Sequence, residues 1–560
     1  MAAILVCVNI LASYFHTGLD LTKEKRFTLS QPTVKLLKDM PEVAVIDIYL
    51  KGKFKADLQR MQESIRDRLQ SFKSVAGSHI IFRFIDPLEG KSDQERKQIV
   101  QDMEQRGMRY HELPSSDEDE EEYSMKIYFP YALVHYNGKE QPILLLDNTG
   151  KTLSEKVNSS EALLEYKFAN AINDLSKPER PTIAYITGNG EALGVNTLYM
   201  LSGLTHIYNV DTVDLTHCLK IPISYNAIMI NEPTIPFTGP EKLKIDQYVM
   251  RGGHILWSVN TLNASLDSLA HSPQFIALDY GLNLDDLLFR YGVRINNDLI
   301  EDRQNVSLPR VVNNGPLEQH EWVYFPRFNP TSEHPIVKNM DFVLGKFSNS
   351  IDTILTRGIK KTTLLESSKY SRTSNSPVRV SLSMMNYPLN NEMFNHPYRP
   401  VAMLLEGKFI SAYNNRLTSD YLKVMDSVKQ PFKAQCDSEN SMIVTSIGDV
   451  FENDYTAKDG VMPIGYYRFS DEFFANRSFL LNCLQYLTDH SNVLEARSKD
   501  VKLRLLDAGR AKDEKVKWQV LNVGIPIAIV LIFASCYLFF RKRRYEEAAT
   551  VISKPPSKNA

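Results

Sequence analysis

A run of 21 residues without a charge, Val520 to Phe540 (VLNVGIPIAIVLIFASCYLFF), is followed at once by Arg541, Lys542, Arg543 and Arg544. As a helix it would be roughly 32 Å long, enough to cross the hydrocarbon core of a bilayer. A soluble core helix has no use for such a run ending on four consecutive cations. Pro526 would break a soluble helix, but membrane helices tolerate proline. Trp518 at one end and Tyr537 near the other suit the interfacial belt. Arg510, Lys512, Lys515 and Lys517 precede the span, and Arg541 to Arg544 with Lys554 follow it. The contiguous cluster predicts a cytoplasmic tail over 541–560 and a main body on the opposite side, periplasmic or extracellular.

At the other end, Ala2 to Phe15 is a second apolar run, broken only by Asn9 and Ser13. No Lys or Arg precedes it, and Lys23, Lys25 and Arg26 follow. Three readings stay open: a signal anchor whose charged start is missing, a cleaved signal peptide, or a core helix. The domain plan takes the first, with 1–18 as a transmembrane helix.

Between the two runs lie some 500 residues of ordinary globular composition, so the 560-residue chain is read as three or four domains. A net charge of −2 advertises no nucleic acid as partner. Cys7 and Cys536 fall in the apolar segments, while Cys218, Cys436 and Cys483 are far apart. That predicts no disulfide framework, and there is no CxxC pair.

Residues 19–177 read as one α/β domain. Ser30 caps a short helix, with Pro32 in its first turn. Val43 to Leu50 is β-branched and short, a strand. Leu58, Met61, Ile65, Leu69 and Phe72 repeat at gaps of three and four, one face of a helix over 55–75. His79 to Ile85 is a second strand and Ser92 to Arg106 a charged helix. Met125 to Tyr136 and Gln141 to Asp147 flank Asn137-Gly138, a hairpin signal. Glu161 to Leu175 closes the unit with a helix. The order β-α-β-α-β-β-α is thioredoxin-like, without redox cysteines. The acidic run Ser115 to Glu122 reads as a solvated loop.

After the linker Lys177 to Pro181, residues 178–490 read as a second, doubly wound α/β domain with a largely parallel sheet. Its strands are Thr182 to Thr187, Val210 to Leu215, Ala227 to Asn231 and His254 to Val259, with a helix over 239–251. The pattern loosens after 290, consistent with an inserted lobe. Val401 to Leu405 and Met442 to Ile447 read as further strands, and Phe474 to Leu487 as an amphipathic helix. Residues 491–518 read as a charged stalk and 519–540 as the transmembrane helix.

Catalytic signals are missing. A glutamine-amidotransferase-like fold would carry a nucleophilic Cys on the turn after a strand. After His254 to Val259 stand Asn260, Thr261 and Leu262 instead. Neither Cys218 nor Cys436 sits in a Gly-x-Cys-x-Gly elbow, and there is no GxSxG, P-loop or HExxH. The 12 histidines are scattered, so no metal site is expected. The reading is therefore of a chain with no catalytic residues and no cofactor. Gly188, Asn189, Gly190 and Glu191 are the best local candidates for ligand binding: a glycine turn after a buried strand lies at the carboxyl edge of such a sheet. The alternative is an ordinary tight strand-to-helix turn.

Five segments together resemble one family. They are LDLTKEKRFTLS at 19–30, AYITGNGE at 184–191, KLKIDQYVMRGGHILW at 242–257, FANRSFLLNCLQYLTD at 474–489 and EARSKDVKLRLLD at 495–507. The family is the gliding-motility-associated ABC-transporter auxiliary protein of Bacteroidota, the GldG type, and the resemblance spans nearly the whole chain. It implies an inner-membrane protein with a periplasmic body, partnered by an ABC permease subunit and an ABC ATPase subunit and linked to gliding motility or protein export. The function expected on this basis is that of a non-enzymatic subunit. The alternatives are a periplasmic solute receptor feeding a permease, and a cell-envelope enzyme of amidotransferase-like ancestry.

Overall fold

The computed structural model describes residues 28–498, apart from positions 53, 55, 115–124, 148–151, 312–316, 387–388, 415, 417–422, 424–430 and 490, together with residues 515–552. The N-terminal apolar run and the acidic run lie outside these residues. The chain divides into two compact units, 1–501 and 502–560.

The first lobe follows its sequence pattern. Helix α1 (Gln31–Lys38) begins on Ser30, whose hydroxyl accepts from Thr33 N. Strand β1 (Ala44–Ile48) leads to α2 (Ala56–Ala76), and Leu58, Met61, Ile65, Leu69 and Phe72 are all fully buried, as their spacing requires. Then come β2 (Ile80–Phe84) and α3 (Asp93–Gln105), which opens on a Ser92/Glu95 capping box. Strands β3 (Tyr131–Tyr136) and β4 (Lys139–Leu144) form the hairpin across Asn137 and Gly138, whose φ values of +51° and +68° suit the tight hairpin turn. Helix α4 (Leu153–Ser176) closes the lobe. The sheet order is β2-β1-β3-β4, with β1 parallel to β2 and the other two pairs antiparallel.

Two boundaries differ from expectation. The stretch from Met125 to Tyr136 is two strands: Met125–Tyr128 leaves the main sheet and pairs with His111–Pro114, and Phe129-Pro130 separates it from β3. Pro130 has no N–H to extend a ladder. Helix α4 starts at Leu153, eight residues before the expected Glu161, because Thr152 and Glu155 make a capping box.

The second lobe is built on a ten-stranded sheet. Strands β5 (Thr182–Thr187), β6 (Asn209–Asp214), β7 (Ala227–Asn231) and β8 (His254–Ser258) are parallel, and β13 (Asn440–Thr445) joins them. Before β13 come β9 (Asn305–Val311), β10 (Leu317–Pro330), β11 (Ile359–Glu366) and β12 (Pro400–Gly407). These four pair antiparallel, with Val343–Leu344 as a short branch on β10. The spatial order is β9-β10-β11-β12-β13-β8-β7-β5-β6. The expected largely parallel sheet is therefore half parallel and half antiparallel.

Both faces of the sheet are covered. Ile186, Ile228, Ile255 and Val444 face α6 (Gly239–Met250) through Ile245, Tyr248 and Val249. Ile183, Met229, Leu256 and Ile443 face α5 (Leu198–Leu204) and α9 (Asn476–Thr488) through Met200, Phe479, Leu480, Cys483, Leu484 and Leu487. Helix α8 (Asp285–Tyr291) packs Leu287, Leu288 and Tyr291 on the α6 side, and α7 (Leu266–His271) buries Leu269 in a third cluster. A separate aromatic core of Trp322, Tyr324, Phe325 and Phe347 supports the inserted lobe.

The lobes are joined along α4. Tyr166 OH donates to Gln485 Oε1 at 2.5 Å, Asn173 Nδ2 to Asp489 Oδ2 at 2.8 Å, and the Arg497 guanidinium lies 4.9 Å from the Tyr166 ring centre. The body accordingly continues to a short 3-10 turn, Val493–Ser498, where the charged stalk was expected. Val493, Leu494, Ala496 and Arg497 are all buried there.

In the second unit, helix α10 (Lys515–Ile552) contains Pro526. Its segment Lys517–Lys542 is long and apolar enough to cross a membrane, and each of its side chains is exposed.

Candidate functional site

The parallel strands run β6-β5-β7-β8-β13 in space, so the winding direction reverses between β5 and β7. In open α/β sheets, ligands bind at the carboxyl ends of the strands beside such a reversal. The predicted turn Gly188-Asn189-Gly190-Glu191 leaves the carboxyl end of β5 at that point. Gly188 and Gly190 have φ of +118° and +77°, which side chains strongly disfavour.

The turn is tied down from all sides. Asn189 N donates to Glu191 Oε2 at 2.7 Å. Thr234 N and Ile235 N, in the loop after β7, each donate to Asn189 O at 2.9 Å. Asn189 Nδ2 donates to Glu241 Oε2 at 3.1 Å, and that carboxylate also caps α6 through Thr238 N. Asn189 and Glu191 are buried. Burial pushes the Glu191 carboxyl up to about 7, with Asp214 and Glu241 adding to the shift. A Cβ on Gly190 would stand 2.2 Å from Thr234 Oγ1, so Thr234 occupies the space that a side chain at this position would need.

The structure brings together residues the sequence did not mark. Lys346 Nζ lies 3.3 Å from Asp449 Oδ2 and 2.8 Å from Asp454 Oδ1, and these carboxylates hold its pKa up. Beside them burial and the neighbouring Glu232 carboxylate raise the Glu452 carboxyl. Asn231 Nδ2 donates to Glu452 Oε1 at 3.2 Å. Glu232 directly follows β7, so a strand-end signal existed for it. Lys346 and Glu452 stand more than 100 residues away along the chain and carried none.

The cysteines lack nucleophilic settings. Burial raises Cys218 and Cys436, which favours their thiols. His217 Nδ1 lies 2.8 Å from Asp214 Oδ2, and hydrogen bonds from Thr216 and His217 hold that exposed carboxyl at about 2. The turn after β8 is structural: Asn260 Nδ2 donates to Phe347 O, and Asn260 Oδ1 accepts from Leu262 N. On the first lobe, an open groove of about 360 Å³ is lined by Glu42, Val45, His135 and Lys139, among others. Among the described residues, no set of three or more His, Cys, Asp or Glu is arranged to hold a metal ion.

Residues 180–483 match the ABC-transporter auxiliary family, described as an ABC-type uncharacterized transport system. The match covers more than half of the chain, and the chain belongs to this family. Residues 23–135 match a domain of unknown function, DUF7088. An uncharacterized protein of Borreliella burgdorferi is 21% identical over 561 residues, covering 96% of each chain. Among solved structures, the mmIFT52 N-terminal domain aligns at 14% identity and a TM-score of 0.29, over 55% of this chain and 97% of its own. An exo-beta-1,4-mannosidase of Opitutaceae bacterium strain TAV5 aligns at 10% identity and 0.19, over 85% and 55%. At these scores the likenesses say nothing about this chain's activity.

Proposed function

We propose that this chain is the membrane-anchored, non-enzymatic accessory subunit of an ABC-type transport complex, with its body in the periplasm and its tail in the cytoplasm. Family membership over residues 180–483 carries the reading. The exposed apolar segment Lys517–Lys542 supports the anchor, and Arg541 and Lys542 at its end support the orientation. The partners would be a permease and an ATPase subunit. The GldG-type link to gliding motility or protein export in Bacteroidota belongs to the same proposal. So does a thioredoxin-like reading of the first lobe, supported by its strand order β2-β1-β3-β4. An amidotransferase-like ancestry for the second lobe rests on its parallel half.

Purification of the full chain in mild detergent tests this. The expected result is co-elution with an ATPase and a multi-span permease at fixed ratio. A lone, stable monomer from the native membrane would overturn it.

A solute receptor is the second reading, favoured by the position of residues 188–191 at the winding reversal. In that case the loop carrying Thr234 and Ile235 must move to uncover Gly190.

A further inference from the structure

Four buried side-chain oxygens have no hydrogen-bond donor: Asn189 Oδ1, Glu191 Oε1, Asn231 Oδ1 and Asp449 Oδ1. Among the described residues they are the only carboxylate or amide oxygens in that condition. Asn231 ends β7, and the other three follow the carboxyl ends of β5 and β13. Asn231 is 0% exposed and Asn189 2%. Burying an acceptor without a donor is costly, so such a concentration at one sheet edge calls for a donor.

The same edge is over-supplied with acids. Lys346 pairs with Asp449 and Asp454 and also acts on Glu452, while Glu232 stands beside Asp449 and Glu452. Glu232 is held at φ +49°, a left-handed conformation rare outside glycine and common at functional sites. Gly448 leaves room for it: a Cβ there would stand 3.3 Å from Glu232 Oε1. The amide of Asn231 lies on this pair, with Nδ2 given to Glu452 and Oδ1 unpartnered. An anion is repelled here, and no metal-holding geometry is present among the described residues.

An apolar rim adjoins the acids. Leu193, Val195 and Leu198 are 56%, 46% and 54% exposed. Asn453, next to Glu452, fixes this segment by donating to Val195 O at 2.6 Å and accepting from Tyr199 N at 3.0 Å. Tyr185 ties it to the sheet by donating to Ala192 O at 2.6 Å.

The geometry points to a binding site here for a small organic cation, whose terminal ammonium or guanidinium group donates to Asn231 and the Glu232–Glu452 pair while its carbon body lies on Leu193, Val195 and Leu198. Such a group brings the N–H donors these oxygens lack and the positive charge the acids favour. The inference deepens the solute-receptor reading and rests on it. Asp449, Lys346, Tyr185 and Tyr280 are further titratable groups facing the pair.

Calorimetric titration of the full chain in detergent with butylammonium and butylguanidinium tests this, with butanol as neutral isostere and tetramethylammonium as donorless cation. Saturable binding is expected for the first two only. Glu232→Gln should weaken binding by about tenfold or more, and the uncharged change Leu198→Asn should weaken butylammonium while leaving the fold intact by circular dichroism. Equal binding of butanol, no saturable heat from either cation, or unchanged affinity in both variants would overturn the site. Binding by a lysine-bearing peptide but by neither free cation would also overturn it, in favour of a protein partner. Loss of the site with retained co-elution of permease and ATPase would leave the subunit assignment standing.

Discussion

Glu191 and Gly190 sit next to one another and answer to different physics. Gly190 is set by sterics: its φ of +77° and the nearness of Thr234 Oγ1 exclude a side chain. Gly190→Ala should lower stability by about 2 kcal/mol or more, read as a drop in denaturation midpoint. Glu191 is set by desolvation. Its folded carboxyl is raised to about 7 from an ordinary 4.5, so the folded state binds more protons than the unfolded one between those values. The contribution is fully present below about pH 4.5 and is lost as pH rises through 7. Glu191→Gln should therefore flatten the decline in melting temperature between pH 5 and pH 8, by an amount on the order of 2 kcal/mol. An unchanged pH profile would refute the assignment. The turn was legible because two glycines after a buried strand announce a special backbone. Its burial under Thr234 and Ile235 was not, because that loop lies over 40 residues on.

At the level of elements, helical periodicity did most of the work. The five α2 residues chosen by spacing are all buried, and α9 was placed within two residues of its start. Leu484 is fully buried against the sheet, so Leu484→Ala should cost about 2–5 kcal/mol in urea unfolding. In α10, a double change Ile527→Arg and Ile532→Arg should release the chain from membranes in a carbonate wash, since each arginine costs about 2.5–3.5 kcal/mol at a span centre. Strands were less legible. The run from Met125 to Tyr136 reads as one apolar strand, yet Pro130 ends it and the halves take different partners.

Across the whole molecule, the joint between lobes decides where the body ends. Val493, Ala496 and Arg497 pack into it, although EARSKD reads as a solvated stalk. A chain ending after Ser498 should melt cooperatively near the full-length value. One ending at Thr488 should lose several degrees, because Asp489 and Arg497 no longer hold Asn173 and Tyr166. Equal melting of the two would refute a structural role for this turn.

By itself the sequence determined the long apolar helix, most of the helices and strands of the α/β body and the turn at 188–191, because each rests on a local quantity: an uncharged length, a repeat of three and four, a pair of glycines. Only the tertiary structure decided that half of the large sheet runs antiparallel, and that Glu232, Lys346 and Glu452 meet at one edge. Strand pairing and charge clustering join residues hundreds of positions apart, and nothing in a local window carries the free energy that selects them.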